Sequence, residues 1–139
     1  VLTGALNRFS FYADIQQLNP KNRVTVFSID LNDLKVINDT KGHMEGDKAL
    51  CDVVKILRES IYRNCRLYRV GGDEFVVICI GGTPEETEQI MQNLTEKMKQ
   101  SPYQFAVGCS EWKSGEQFDD VYIRADREMY ANKRVLKTV

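Results

Sequence analysis

The sequence has no cysteine pair at metal-binding or redox spacing, no apolar run near bilayer length, no internal repeat and almost no net charge. Each absence removes a class of function. Cys51, Cys65, Cys79 and Cys109 are widely separated, and three of them fall in apparent strands. That spacing excludes a zinc or dithiol motif and predicts reduced core residues in a cytoplasmic protein. A membrane-spanning helix needs about 20 consecutive apolar residues, and none occurs. With a formal net charge of -1, no whole-chain field recruits nucleic acid or an anionic membrane surface, so any phosphate recognition must be local. Val1 begins in mid-pattern with neither an initiator Met nor a signal peptide. The expectation is a fragment of a longer chain, with an upstream membrane anchor left open. What is present is 139 residues at 42% hydrophobic content, enough for one domain, 1–139, with its own core.

The periodicity predicts a mixed order of elements. A helix is expected from Phe9 to Leu18, where Phe11, Ile15 and Leu18 recur at helical spacing and Asn19-Pro20 ends the pattern. Val24–Leu31 reads as a buried strand, with Asp30 anomalous at its carboxyl end. Asn32 or Asp33 would cap a short helix through Ile37, and Asn38 to Gly46 reads as a polar loop. A helix is expected from Asp47 to about Tyr62, with Leu50, Val53, Val54, Leu57 and Ile61 on one face. Strands follow at Arg66–Val70 and Phe75–Ile80. Thr83-Pro84-Glu85-Glu86 is an N-cap, first-turn proline and capping box opening a helix to Gln100, with Met91, Leu94 and Met98 on its core face. Tyr103–Cys109 reads as a strand, and Phe118 to about Val135 as a closing helix.

The informative stretch is Arg69-Val70-Gly71-Gly72-Asp73-Glu74-Phe75. Two glycines between strands predict a hairpin turn with positive φ. The adjacent acids are not explained by a turn, because repulsion and desolvation raise their cost unless a cation sits nearby. A crossover helix between Val24–Leu31 and Arg66–Val70 makes these strands parallel in one sheet, ending at one edge. Asp30, Asp73 and Glu74 are therefore expected to converge. Hard carboxylate oxygens suit Mg²⁺, whose remaining ligands are waters and substrate phosphates, and such a site performs metal-assisted phosphoryl chemistry. Helix capping by Asp30 is the alternative.

These residues, in this order, resemble the GGDEF domain, the diguanylate cyclase family. The similarity covers the whole chain: Leu2-Thr3-Gly4 with Asn7-Arg8, Asp30 to Lys35 with Asn38-Asp39, Gly42-His43, Gly46-Asp47, Arg69 with Gly71 to Phe75, and Ala125-Asp126 with Tyr130 and Lys133. The resemblance implies an α/β (α+β) domain akin to nucleotidyl cyclase and polymerase palm domains. Its five-stranded mixed sheet would be flanked by helices, with a β-hairpin carrying the motif. It implies condensation of two GTP into cyclic di-GMP across a transient homodimer, with release of two pyrophosphates. Control would come from an upstream sensor or receiver domain. Mg²⁺ or Mn²⁺, two per GTP, would be held by Asp30, the Leu31 carbonyl and Asp73, and Asp73 or Glu74 would help to deprotonate the attacking hydroxyl. Leu34, Lys35, Asn38, His43, Asp47, Gly71, Gly72, Lys133 and Lys137 would contact the nucleotide. Among these, Asn38 and Asp47 would read guanine, and Lys35 and Lys133 would neutralise phosphate.

Simpler roles stand beside these: Asp47 as a helix N-cap, Asn38 as a left-handed helix end, His43 as a loop residue and Lys35 as solvated surface. The chain also departs from the family pattern. Asn32 replaces a frequent Asp, and Leu136-Lys137 replaces a Gly-Arg pair, reducing a forked phosphate contact to a point charge. Tyr62-Arg63-Asn64-Cys65 lacks the Arg-x-x-Asp of the family's product-inhibition site. The reading from a different class is a weakly active or inactive GTP-binding, dimerising module. A nucleotidyl cyclase acting on ATP or on mixed substrates conflicts with Asp47, whose carboxylate suits guanine.

Overall fold

The computed structural model describes residues 4–19 and 21–138, with side chains described as far as Lys133. Its elements are α1 (Arg8–Ile15), β1 (Val24–Leu31), α2 (Leu34–Lys41), α3 (His43–Ser60), β2 (Cys65–Arg69), β3 (Glu74–Ile80), α4 (Pro84–Lys99), β4 (Phe105–Glu111) and α5 (Phe118–Thr138). The sheet order is β2-β3-β1-β4 and every neighbouring pair is antiparallel. β1 and β2 do run in the same direction, as the crossover requires, but β3 folds back into the gap between them. The expected five-stranded mixed sheet is thus corrected to four antiparallel strands. Among the described residues a fifth, parallel element is the single bridge of Leu6 to Tyr68, made through Leu6 N–H to Leu67 C=O (3.0 Å) and Arg69 N–H to Leu6 C=O (2.7 Å). Toward α1 it goes no further, because Asn7 immediately caps that helix, accepting from Ser10 N–H at 2.8 Å.

Side-chain alternation builds two cores. Phe27, Ile29 and Leu31 of β1 join Phe75 and Val77, and α3 and α4 cover them through Val53, Leu57 and Leu94. Val24, Val26, Val76 and Ile78 face the other way, under Phe11 of α1 and Phe118, Val121 and Ala125 of α5. Both faces are covered, which is why β1 is buried along its whole length and reads as a continuous apolar run.

The polar stretch Asn38–Gly46 is not a loop. α2 continues to Lys41 and α3 starts at His43, with Gly42 (φ +91°) as the joint; the polar residues are the exposed faces of two helices. Asp33 occupies the N-cap position of α2 at φ 63° without a side-chain capping bond. Thr83 caps α4 as expected, accepting from Glu86 N–H. The cysteine expectation is corrected as well: Cys65 and Cys79 are register partners on β2 and β3, with Cα atoms 4.1 Å apart, and form a disulfide. Fourteen residues of separation hide a pairing that only the hairpin register creates. Cys51 and Cys109 carry no disulfide.

The outer edge of β4 is sealed by a helix. Arg124 donates to Glu111 C=O (2.8 Å), Glu128 accepts from Cys109 N–H (3.2 Å), and Asn132 donates to Val107 C=O (2.6 Å). These α5 residues are four apart while the strand residues descend by two, so the helix runs antiparallel to β4 and serves the backbone groups a strand would have paired. Contact is close because Gly108 lacks a side chain: a Cβ there would lie 2.2 Å from Ala125 O and 2.3 Å from Met129 N.

Candidate active site

Register alone brings the acids together. Asp30 is the Cα partner of Glu74 across β1–β3, and Leu31 N–H donates to Asp73 C=O at 2.8 Å, tying the hairpin turn to the end of β1. Arg69 folds back over the turn, its guanidinium donating to Gly71 C=O (3.2 Å) and Gly72 C=O (2.9 Å). Neither glycine has the expected positive φ. A Cβ on Gly71 would meet Glu74 at an ordinary 3.4 Å, and one on Gly72 would meet nothing within 4 Å. Turn sterics therefore do not require these glycines, and their small size leaves the turn backbone open to close approach from outside.

Asp30 is 5% exposed. Its Oδ2 accepts from Lys133 Nζ at 2.5 Å, while Oδ1 is buried without a partner. Burial holds the Asp30 carboxyl above its ordinary pKa and the charge of Asp73 adds to this, against the opposing pull of Lys133. Glu74 is also raised, first by burial and then by Asp30, Asp73 and Asp126. Contact with Asp30 raises Lys133. A buried carboxylate oxygen with an open lone pair, beside a second carboxylate, suits a hard divalent cation. Among the described residues no three His, Cys, Asp or Glu side chains are grouped to hold a metal by themselves. Asp30 and Asp73 would therefore need backbone carbonyl, water and phosphate oxygens to complete a shell, as Mg²⁺ characteristically does.

The residues expected to read the nucleotide lie on the α2–α3 pair. Leu34 is buried as the first residue of α2, and Lys35 beside it is exposed. Asn38 is half-buried and helical; its Oδ1 fills the space above Gly46, where a Cβ would stand 1.6 Å away. Asp47, next to Gly46, is exposed in the second turn of α3, so neither the N-cap role for Asp47 nor the left-handed role for Asn38 holds. His43 opens α3 and is exposed. The Lys137 side chain lies outside the described residues.

The sequence reading assigned no role to Ser28 and none to Asp126. Ser28 Oγ donates to Asp126 Oδ1 at 2.8 Å, a second polar rung between β1 and α5 beside Asp30–Lys133. The signal was available: Ser28 is two residues before Asp30 in an apolar strand, on the same face, and Asp126 is two helical turns before Lys133. Asp126 also raises the Tyr130 hydroxyl above its ordinary range.

An antiparallel sheet between two helical layers, with an acidic hairpin turn tied to an acidic strand end and a lysine across from it, defines an α+β domain with an acidic corner suited to a divalent cation. The model of the family described as "Diguanylate cyclase, GGDEF domain" matches residues 1–137, and the chain belongs to that family. Among relatives, "Probable diguanylate cyclase DgcJ" of Escherichia coli K12 is 30% identical over 142 residues, covering 96% of this chain and 29% of that protein. "Probable diguanylate cyclase DgcI" of the same organism is 34% identical over 135 residues, covering 96% and 30%. The chain thus spans less than a third of the length of either. The structure of the active GGEEF domain of a diguanylate cyclase from Vibrio cholerae superposes with a TM-score of 0.81 at 26% identity, covering 93% of this chain and 91% of that one. Among the described residues no helix is long and apolar enough to cross a membrane.

Proposed function

We propose that this domain condenses two GTP into cyclic di-GMP and two pyrophosphates, one nucleotide on each of two facing copies. The observation that carries the reading is Asp30: a buried carboxylate with one unpartnered oxygen, opposite Glu74, tied through Leu31 to Asp73, and balanced by Lys133. Asp30, the Leu31 carbonyl and Asp73 would hold Mg²⁺ or Mn²⁺, two ions per GTP. The metal would lower the 3′-hydroxyl pKa and offset charge on the α-phosphate.

The remaining work falls to the chain. Asn38 and Asp47 present an amide and a carboxylate to the guanine edge, a set that leaves unpaired groups against adenine. His43 and Leu34 border that position. Lys35, Lys133 and Lys137 balance the phosphates, and the open backbone at Gly71 and Gly72 admits the nucleotide. Glu74, whose proton affinity is raised by burial and three neighbouring acids, accepts the 3′-hydroxyl proton, with Asp73 as its neighbour in that role. Each attack forms a P–O bond at the partner nucleotide's α-phosphorus and breaks its bond to the β-phosphate oxygen. Incubation with GTP and Mg²⁺ followed by chromatography tests this: cyclic di-GMP and pyrophosphate in a 1:2 ratio is the expected result. GTP bound but unconverted would instead identify a GTP-binding, dimerising module. In a longer protein an upstream sensor or receiver domain would set the encounter of two such copies.

A further inference from the structure

Lys133 reaches from α5 across to β1 and places its ammonium 2.5 Å from Asp30 Oδ2, with side-chain exposures of 23% and 7%. Asp73, Glu74 and Asp126 are close enough to bear on the charges of this corner, and Lys133 is the cation bonded into it. We propose that Lys133 is the resident counter-ion of the metal site, and that metal and nucleotide bind cooperatively because together they take apart the Lys133–Asp30 pair. The inference rests on reading Asp30 as a metal ligand.

A divalent ion held by Asp30 and Asp73 would share the Asp30 carboxylate with that ammonium, and like charges on one carboxylate in a partly buried site repel strongly. Metal alone must displace Lys133 from Asp30, the carboxylate to which its ammonium is bonded among the described residues. When a nucleotide arrives as well, its phosphate oxygens take the ammonium while the metal takes the carboxylate, and both charges stay compensated. Lys133 therefore weakens metal binding in the absence of nucleotide and strengthens nucleotide binding in the presence of metal. A lysine that only contacts phosphate does the second and not the first.

The test is Mn²⁺ binding without nucleotide, followed by electron paramagnetic resonance of the free ion, on the wild-type chain, Lys133→Met, Lys133→Arg and Asp30→Asn. A non-hydrolysable GTP analogue is then titrated in saturating Mn²⁺. The neutral variant is expected to bind Mn²⁺ about tenfold more tightly and the analogue several-fold more weakly, while Lys133→Arg stays near wild type on both. Lys133→Gln is a second neutral variant if the Met form folds poorly by circular dichroism. Unchanged or weaker Mn²⁺ affinity in the neutral variants, with Asp30→Asn abolishing binding, overturns the counter-ion role and leaves the metal site standing. Wild-type Mn²⁺ affinity in Asp30→Asn overturns the metal assignment and the proposal with it.

Discussion

Gly46→Ala separates nucleotide reading from folding. Gly46 is buried inside α3, and a Cβ there would stand 1.6 Å from Asn38 Oδ1 and 2.7 Å from its Cγ, so the Asn38 side chain must leave its position altogether. Replacing a helix-interior glycine by alanine favours the helix by about 0.5–1 kcal/mol, while forcing a side chain off its preferred rotamer costs about 0.5–1.5 kcal/mol. The two nearly cancel, and urea unfolding is expected to show a change within about 1 kcal/mol. Binding should not be spared, since one lost hydrogen bond between an amide and a base edge is worth about 0.5–1.5 kcal/mol, roughly a two- to thirteenfold weaker GTP. ATP analogue affinity should change far less. Calorimetry with non-hydrolysable GTP and ATP analogues on Gly46→Ala, Asn38→Ala and the double variant is the assay, and the double variant should resemble either single one. Wild-type GTP affinity and selectivity in Gly46→Ala would refute the argument, because it would mean that the seat of Asn38 above Gly46 is not where guanine is read.

Asp30→Asn is expected to lose more than about 100-fold in turnover while being no less stable than wild type at neutral pH. A raised native pKa means that the folded state binds the proton more tightly than the unfolded chain, so the ionised Asp30 costs stability above that pKa. The cost fades as pH falls toward the unfolded value near 4. The stability advantage of Asp30→Asn should therefore shrink between pH 7 and 4 in parallel urea melts, and an advantage that grows on acidification contradicts the burial argument. Added cyclic di-GMP is expected to leave initial rates largely unchanged through the Tyr62–Cys65 segment, since Cys65 is committed to Cys79 and neither residue offers a guanidinium fork or a carboxylate; strong inhibition abolished by Tyr62→Ala would reverse this. Activity of the isolated chain should rise more than linearly with its concentration, because the proposed reaction needs two copies and a nearly neutral surface steers them weakly. Dilution-independent specific activity with a stable dimer by light scattering would show that the domain assembles its own catalytic pair.

The acidic convergence was legible because it depends on direction alone: β1 and β2 end at one edge whatever lies between them. What lies between was not legible. Nothing in Phe75–Ile80 says that β3 inserts beside β1 rather than at the outside of β2, and with it went the all-antiparallel pairing and the direct opposition of Asp30 and Glu74; the disulfide was hidden by the hairpin register of β2 and β3. The α2–α3 joint failed for a different reason. Asn38 to Gly46 carries loop composition, but a two-helix corner that exposes most of its surface needs no apolar stripe, and Gly42 alone provides the break. Ser28 went without notice as a hydroxyl in an apolar strand, and Asp126, although part of a recognisable motif, had no role until the fold set the two 2.8 Å apart.

The rungs from α5 to the edge of β4 have one more consequence. Four helical residues advance about 6.0 Å and two strand residues about 6.8 Å, so the two scales drift by somewhat less than an ångström per rung, like a vernier that reads true over a short span. Arg124, Glu128 and Asn132 lie on that span, and Lys133 is the next residue after the last of them. The axial setting of α5 against the sheet thus fixes where the lysine stands relative to Asp30. A pull on either end of this helix would be felt as a displacement at the acidic corner, before any side chain there had changed.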